Sequence, residues 1–546
     1  MKTIFTILFG LIISLQMMAQ KKQADLIMFN AVVYTVDENF STQEAFAVKD
    51  GKFMAIGNNK DILKAYSSEE KIDAKGKAVY PGLIDAHCHF YGYGLSRVAQ
   101  ANLVGTKSFE EVVEKLREFA KENPSDFILG RGWDQNDWEV KKFPENKLLD
   151  KAFPETPVFI RRIDGHAGIA NSTALKLAGI TENSKVNGGE VKMKNGKLTG
   201  VLVDNAMELM SGVIPLPDES VRRNALTTAQ SDCFAVGLTS VVDAGLGNNI
   251  VKLIDKMQKD GKIKMRVNAM LSPTERNLNQ YVKNGPWQTD RLTVRSIKLY
   301  ADGALGSRGA KLILPYSDAP ETSGLLIETP DYYREICQLA LDNGYQVNTH
   351  AIGDSANRMM LDIYGGFLKG KNDLRWRIEH AQVINKDDFH LFTKYSIVPS
   401  VQTTHCTSDM YWAEDRLGPD RVKGAYAYKT LLKENGWLPL GTDFPVENIN
   451  PLYTFYAAVA RKDREGYPEN GFQVKDALTR KEALQGMTIW AAKGSFEENI
   501  KGSIEPGKVA DFVILQKDIM QIGIDEVPDV KVVSTWSGGE RVYPQE

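Results

Sequence analysis

The stretch YPGLIDAHCHF, residues 80–90, is an apolar run that ends in two histidines separated by one residue. In a β-strand, residues i and i+2 project to the same face, so His87 and His89 converge while Cys88 faces away. Two neighbouring imidazoles are good ligands for one divalent ion. Taken alone, the motif leaves open both a metal site and an incidental pair.

Three further apolar runs end in a polar residue. GYQVNTH ends at His350, WRIEH at His380 and WLPLGTD at Asp443. Catalytic groups of parallel α/β folds collect at the carboxyl ends of the strands. A hydrogen-bonded core histidine could explain His350 or His380 singly, but it does not explain four such strand ends together. The set therefore predicts a metal site.

The middle of the chain alternates strand-like runs with helical stretches such as PDYYREICQLALDN, residues 330–343. This rhythm predicts an α/β fold with parallel strands in residues 80–500, and leaves a barrel and an open doubly wound sheet as alternatives. Surplus strand-like runs indicate an insertion near 125–210. Residues 20–79 and 501–546 contain short strands and glycine turns, which suggests one small β domain built from both ends.

Composition narrows the class of protein. The 546 residues carry a net charge of -3 and show no basic stripe, which argues against nucleic acid as a partner. Four dispersed cysteines without a CxxC pair indicate neither a disulfide scaffold nor a zinc ribbon. Residues 1–19 have the layout of a signal peptide, with an uncleaved anchor as the alternative. No later apolar run is long enough to span a membrane. We therefore expect an exported protein, periplasmic or extracellular.

Lys298, in SIKLYADG, shares one face of a strand with Tyr300 and Asp302. The strand should be buried on both sides, and a buried ammonium is costly unless it is paired. Lys298 could pair with Asp302 or another carboxylate. Alternatively, its amine could carry CO2 as a carbamate that bridges two metal ions. The residues alone do not choose between these interpretations.

Eight stretches between about residue 79 and residue 518 together resemble the amidohydrolase superfamily. The resemblance is to its YtcJ-like branch, which includes N-substituted formamide deformylases. The stretches are PGLIDAHCHFYGYG, GRGWDQNDW, RRIDGHAGIANS, IKLYADGALGSRGA, VNTHAIGD, RIEHAQ, GTDFPV and GSIEPGKVADFVIL. One small departure is Thr442 in GTDFP, where serine is common.

The resemblance implies a distorted (β/α)8 TIM barrel with a small β-sandwich domain built from both termini. It implies two divalent ions, with zinc as the expected metal, bridged by a hydroxide and by a CO2-derived carbamate on Lys298. His87, His89 and Asp443 would bind one ion, and His350 and His380 the other. Asp443 would also shuttle a proton during hydrolysis of a C–N amide-type bond in a small-molecule substrate, for example an N-substituted formamide.

Other residues of these motifs are candidates for the pocket. His166 could hydrogen-bond the substrate carbonyl or its oxyanion as a catalytic and substrate-binding group, or it could order its loop. His405 is a second candidate for substrate contact. Trp133 and Gln135 could line an apolar entrance or belong to the core. Arg308 could support the pocket or simply pair with an acid.

Three competing functions remain open at this point. The same metal cage could act on another bond, such as an ester or a cyclic amide, or serve an isomerase or lyase. An exported protein could keep the cage only to bind a ligand, although a binder has no need of the proton shuttle Asp443. A metal-free barrel with a structural role would not need the full set of ligands. A homodimer is compatible with all of these.

Overall fold

The computed structural model describes residues 21–544. The predicted signal peptide, residues 1–19, lies outside the described residues. Between residues 21 and 544, no helix combines the length and the apolarity needed to cross a bilayer.

The first sixty residues described are almost entirely β-structure. They form a four-stranded sheet in the order β6-β5-β2-β8, a two-stranded β1-β7 ladder and half of a six-stranded sheet. The elements are β1 Lys22–Gln23, β2 Leu26–Phe29, β3 Val32–Tyr34, β4 Thr42–Gln43, β5 Ala45–Lys49, β6 Lys52–Gly57, α1 Asn59–Ala65, β7 Tyr66–Ser67, β8 Glu70–Asp73 and β9 Ala78–Pro81.

An inserted sheet follows the first barrel strand. Its six strands pair in the order β11-β12-β13-β14-β16-β15. The elements are β10 Leu83–Cys88 (the barrel strand), α2 Phe90–Ala99, β11 Ala101–Asn102, α3 Phe109–Glu122, β12 Ile128–Trp133, α4 Lys147–Ala152, β13 Val158–Arg162, β14 Ala167–Ala170, α5 Ser172–Leu177, β15 Gly189–Lys194 and β16 Lys197–Asp204. The sheet begins at β11, before the predicted start of the insertion near residue 125. The sequence did not show this start because β11 has only two residues, too few to form a pattern.

The remaining barrel strands alternate with helices, and β10, β17, β18, β20, β21, β22, β23 and β24 pair in parallel in that order. Strands β18 and β21 are buried at every residue, as expected for strands covered on both faces. The elements are α6 Glu219–Ala235, β17 Leu238–Leu246, α7 Asn248–Lys259, β18 Arg266–Leu271, α8 Glu275–Gln280, β19 Trp287–Gln288, β20 Leu292–Tyr300, α9 Pro330–Asp342, β21 Gln346–Ala351, α10 Asp354–Leu368, β22 Arg377–His380, α11 His390–Tyr395, β23 Val398–Gln402, α12 His405–Asp409, α13 Ala413–Arg421, α14 Tyr428–Asn435, β24 Leu440–Gly441, α15 Pro451–Ala460, α16 Arg480–Gly486 and α17 Ile489–Gly494.

The last barrel strand returns to the first. The Asp443 N–H donates to the His87 carbonyl at 2.8 Å, and the His89 N–H donates to the Phe444 carbonyl at 2.8 Å. Gly441 permits this approach, because a Cβ there would lie 2.5 Å from the His87 nitrogen. The strands therefore form a nearly closed barrel, and the alternative of an open doubly wound sheet is wrong.

The last strands of the chain complete the six-stranded sheet that β3, β4 and β9 began. Strands β25 Phe512–Leu515, β26 Val532–Ser537 and β27 Glu540–Tyr543 extend the six-stranded sheet, and β25 pairs antiparallel with β9. Phe46 of the four-stranded sheet packs edge-on against Phe512 of the six-stranded sheet at 5.0 Å. These two packed sheets are the predicted β-sandwich built from both termini.

Candidate metal centre

The carboxyl ends of the barrel strands surround a cavity of about 180 Å³. Its wall contains most of the residues that the sequence singled out, namely His89, His166, Lys298, His350, His380, His405 and Asp443. His87 lies just behind them and is fully buried. One cavity thus brings together polar side chains from strands that are far apart in the sequence.

Asp443 is the point on which the first histidine pair converges. Its Oδ1 lies 3.2 Å from His89 Nε2 and 3.7 Å from His87 Nε2. The three side chains offer ligand atoms within 4.8 Å of one another, close enough to share one ion. This is the first ligand set that the sequence predicted.

His87 is held from behind by a buried acid. Its Nδ1 lies 2.5 Å from Glu379 Oε2, and that oxygen also accepts a hydrogen bond from Arg377 Nη2 at 3.0 Å. Burial would raise the pKa of Glu379, but Arg377 and His87 together hold it at about 2. The ionised carboxylate accepts a hydrogen bond from Nδ1–H, so the lone pair of the ring lies on Nε2, the atom on the side of Lys298 and Asp443.

Lys298 has no carboxylate partner. In the described part of the chain its Nζ makes one polar contact, at 3.3 Å from His87 Nε2, and it lies 4.6 Å from the centre of the Tyr300 ring. Asp302 is instead occupied by the N–H groups of Lys311, Ile352 and Gly353. Burial lowers the pKa of Lys298 to about 8, which leaves a substantial fraction of neutral amine. The proposed pairing with Asp302 is therefore wrong.

A second set of possible ligands shares Asp443. His380, His405 and Asp443 place ligand atoms within 4.8 Å of one another, and His405 Nε2 lies 3.6 Å from Asp443 Oδ2. The His350 ring lies 4.6 Å from that of His380. Burial lowers the pKa of both His350 and His380 well below the usual value, so both rings are neutral and able to coordinate. His405, predicted only as a substrate contact, thus joins the candidate ligands.

The unsatisfied polar atoms of this centre fit a bound cation. His380 Nδ1, His405 Nε2 and Asp443 Oδ1 are buried and have no hydrogen-bond partner among residues 21–544. Buried polar atoms are nearly always hydrogen-bonded, and coordination of a bound ion is one established reason for an exception. Imidazole nitrogen and carboxylate oxygen are also the donors that zinc and related divalent ions prefer.

His166 lies on the opposite wall of the cavity and is fixed by the inserted sheet. Its Nδ1 lies 2.7 Å from Asp204 Oδ1, and its ring centre is 4.8 Å from that of His350. Burial would lower the pKa of His166, but Asp204 outweighs this effect and the net shift is upward. With Nδ1 engaged, Nε2 is the atom left to meet a substrate.

Three predicted pocket residues do not line this cavity. Trp133 lies in a separate hydrophobic core, where its Nε1 donates to the Ile160 carbonyl. Gln135 is buried and accepts a hydrogen bond from Arg162 at 2.8 Å, so it supports a lining residue rather than the pocket itself. Arg308 pairs with Asp318 at 2.7 Å. The sequence pattern could not separate these positions from pocket positions, because aromatic and charged residues occur in both.

The sequence interpretation missed Glu379 and Asp204, which fix His87 and His166. A signal existed for Glu379: Arg377 and Glu379 are two residues apart in a short buried strand, as expected for an internal ion pair. Asp204 ends strand β16 of the inserted sheet, and its contact with His166 depends on how that sheet folds. No local pattern marks it.

Glu447 also lines the cavity, and its environment leads to a prediction about stability that does not depend on catalysis. Burial raises the pKa of Glu447 from 4.5 to about 8. Among the described residues Ser408 is its only hydrogen-bond donor, and the charges of Asp409, Asp443 and Asp137 raise the pKa further. The folded state therefore binds the proton more tightly than the unfolded state does. The resulting stabilisation is complete below pH 4.5 and is lost as the pH rises through about 8.

We expect Glu447→Gln, which cannot ionise, to raise the melting temperature relative to the parent at pH 9 and to change it little at pH 5. The shift should be on the order of 1 °C for a chain of this size. Scanning calorimetry of the parent, Glu447→Gln and the exposed control Glu414→Gln at both pH values measures it. Equal shifts at pH 5 and pH 9 would contradict the burial of an ionisable Glu447.

Comparisons with known proteins agree with this geometry. The sequence profile of the family described as "Amidohydrolase family" matches residues 70–543. The chain is 30% identical to the putative amidohydrolase YtcJ of Bacillus subtilis, over 94% of this chain and 98% of that protein. It is 25% identical to an N-substituted formamide deformylase of Arthrobacter pascens, over 95% and 98%.

A solved structure is similar over nearly the same length. The crystal structure of an uncharacterized metal-dependent hydrolase from Pyrococcus horikoshii OT3 superposes with a TM-score of 0.75 and 29% identity. The match covers 91% of this chain and 99% of that one.

Proposed function

Since the chain belongs to the amidohydrolase family, we propose that it is a metal-dependent hydrolase of C–N amide-type bonds in small molecules, such as N-substituted formamides. The observation that carries the proposal is the convergence of three unpartnered buried ligand atoms, on His380, His405 and Asp443, in one cavity. The bond type is supported by the name of the Arthrobacter relative. The reaction would convert an amide and water into a carboxylate and an ammonium ion.

We assign the residues of the centre to metal binding, proton transfer and contact with the substrate carbonyl. His87, His89 and Asp443 would hold one divalent ion, His350 and His380 the other, and a carbamate on Lys298 would bridge them, with zinc as the proposed metal. Bound ions of this kind lower the pKa of water to about 7 and polarise the substrate carbonyl. Asp443, whose Oδ1 accepts no hydrogen bond among residues 21–544, would take a proton from the attacking water and return it to the leaving amine. His166 Nε2 would contact the carbonyl oxygen.

Metal removal tests the proposal. We expect an N-alkylformamide to release formate with the purified protein, and we expect a chelator to lower this rate at least about 100-fold. Added zinc should restore the rate, and the matched alkyl formate ester should be hydrolysed more slowly. Full activity after complete metal removal would refute the proposal, and a preference for the ester would change the bond that is cleaved.

We also propose that the protein is exported. The support is the basic Lys2, the apolar run from Ile4 to Leu15 and the small Ala19. The N-terminal sequence of the protein recovered from its native cell tests this: cleavage near residue 19 supports export, and an intact N-terminus in the cytoplasmic fraction contradicts it.

A further inference from the structure

The cavity wall beyond the metal centre is rich in acidic side chains. It contains one cation, Arg162, and five acids, Asp134, Asp137, Asp164, Asp409 and Glu447. Arg162 is fully buried and is paired with two of the acids, Asp134 and Asp164, the latter at 2.5 Å. Its single positive charge is therefore already matched by two carboxylates.

The other three acids have no cationic partner. In the described part of the chain, no Lys, Arg or His nitrogen lies within 4.0 Å of the carboxylate oxygens of Asp137, Asp409 or Glu447. Asp409 accepts hydrogen bonds from the Tyr426 hydroxyl at 2.8 Å and from the Gln382 amide at 3.1 Å. The donors to Asp409 and Glu447 are thus uncharged, which satisfies their oxygens without balancing their charge.

Two of these three acids, Asp137 and Glu447, lie where two cavities meet, and Asp409 lines the inner cavity. An outer cavity of about 290 Å³ shares Asp137, Ser408 and Glu447 with the inner one. The charged residues that line only the outer cavity balance one another, two cations (Lys462 and Arg464) against two acids (Asp463 and Glu465), so its net negative charge comes from Asp137 and Glu447. The outer cavity is also lined by Thr404, which is 7% exposed and whose Oγ1 has no hydrogen-bond partner among the described residues. We call the group Asp137, Asp409 and Glu447 the acidic neck. A buried hydroxyl without a partner, in the same cavity as carboxylates without a cationic partner, offers the acceptors that an organic ammonium ion needs.

The energetics favour a cation at this place. Burial raises the pKa of Glu447 to about 8 and that of Asp409 to about 7, because their carboxylates are poorly solvated and lie close to other acids. A positive charge among them restores the ionised forms and is attracted more strongly than in bulk water.

We propose that the acidic neck binds a positively charged group of the substrate, so that the substrates are amides whose amine part carries a second, cationic nitrogen. The inference rests on the proposed hydrolysis at the metal centre. The acyl group would lie against His166 and Asp443, and the ammonium or guanidinium group would extend toward the outer cavity.

Matched substrates test the proposal in the metal-loaded protein. The pairs are the mono-N-formyl derivatives of 1,3-diaminopropane, 1,4-diaminobutane and 1,5-diaminopentane, each with the neutral N-formylalkylamine of the same chain length. We expect kcat/KM for the best cationic substrate to exceed that of its neutral match by about tenfold or more. Glu447→Gln and Asp137→Asn should each reduce this ratio severalfold, whereas the exposed control Glu414→Gln should leave it unchanged. A ratio near one in the parent overturns the proposal.

Direct binding separates this proposal from the proposed function. Titration calorimetry of metal-loaded protein with 1,4-diaminobutane measures the affinity of the acidic neck for a cation without any turnover. If no amide is hydrolysed but Glu447→Gln weakens binding about tenfold, the hydrolase proposal fails and the cation site stands. If 1,4-diaminobutane binds equally well to the parent and to the Glu447→Gln, Asp137→Asn double variant, the cation site is refuted, whatever the enzyme hydrolyses.

Discussion

Asp443→Asn is expected to lower kcat by about 10³-fold while leaving most of the bound metal in place. An asparagine Oδ1 still offers a lone pair to an ion and to His89, but the amide cannot take a proton from the attacking water. Asp443 Oδ1 accepts no hydrogen bond among residues 21–544 and lies 3.2 Å from His89 Nε2. Steady-state kinetics measure kcat, and mass spectrometry measures the metal content per chain.

The control for this experiment is Asp518→Asn. Asp518 accepts hydrogen bonds from the hydroxyls of Tyr34 and Tyr80, away from the cavity, and the same change there should leave kcat unaltered. An Asp443→Asn protein that keeps its metal and more than about one tenth of the parental kcat would exclude the proton-shuttle role.

Lys298→Ala is expected to reduce the metal content from about two ions per chain to fewer than one, and to abolish detectable hydrolysis with it. The reason is that Lys298 Nζ is buried beside His87 and has no carboxylate partner within residues 21–544, so that a carbamate there would add two oxygen ligands. Isotopically labelled bicarbonate should give a carbamate carbon signal by NMR in the parent and none in the variant.

Lys311→Ala provides the matched control. Lys311 is a half-buried lysine whose Nζ donates to the Ser323 hydroxyl and lies outside the cavity wall. We expect its metal content to equal that of the parent. One ion per chain in both the parent and Lys298→Ala would leave a mononuclear hydrolase and remove the carbamate from the proposed centre.

The residues of the candidate metal centre can be recognised in the sequence because they mark the ends of apolar strands. His350, His380 and Asp443 each close a buried run, and parallel strands of one barrel present their carboxyl ends on the same side. The distance between strands along the chain does not matter to this argument. Barrel closure was not predictable in this way, since it depends on the backbone contact that Gly441 permits.

Apart from Glu379, which lies in barrel strand β22, the residues that the sequence placed wrongly or missed come from loops, a short helix and the inserted sheet. Trp133 was a pocket candidate, but hydrophobicity is shared by entrance and core, and the three-dimensional path of β12 turns it into the core. Glu447 lies beyond the last barrel strand, and its neighbour in the acidic neck, Asp409, lies at the end of a short helix. Neither belongs to a periodic pattern, so only the folded structure shows that they share a cavity.

The seam of the barrel joins the two ends of its chain. Thr442 Oγ1 donates to Asp85 Oδ2 at 2.7 Å across 357 residues of sequence, and the ligands His87 and Asp443 lie on either side of this contact. A nascent chain that has completed seven strands therefore still has an incomplete set of ligands. Ions that bind only the completed site would stabilise the closed barrel by mass action. If the proposed export moves the chain in unfolded form, metal would be acquired after translocation, on the far side of the membrane.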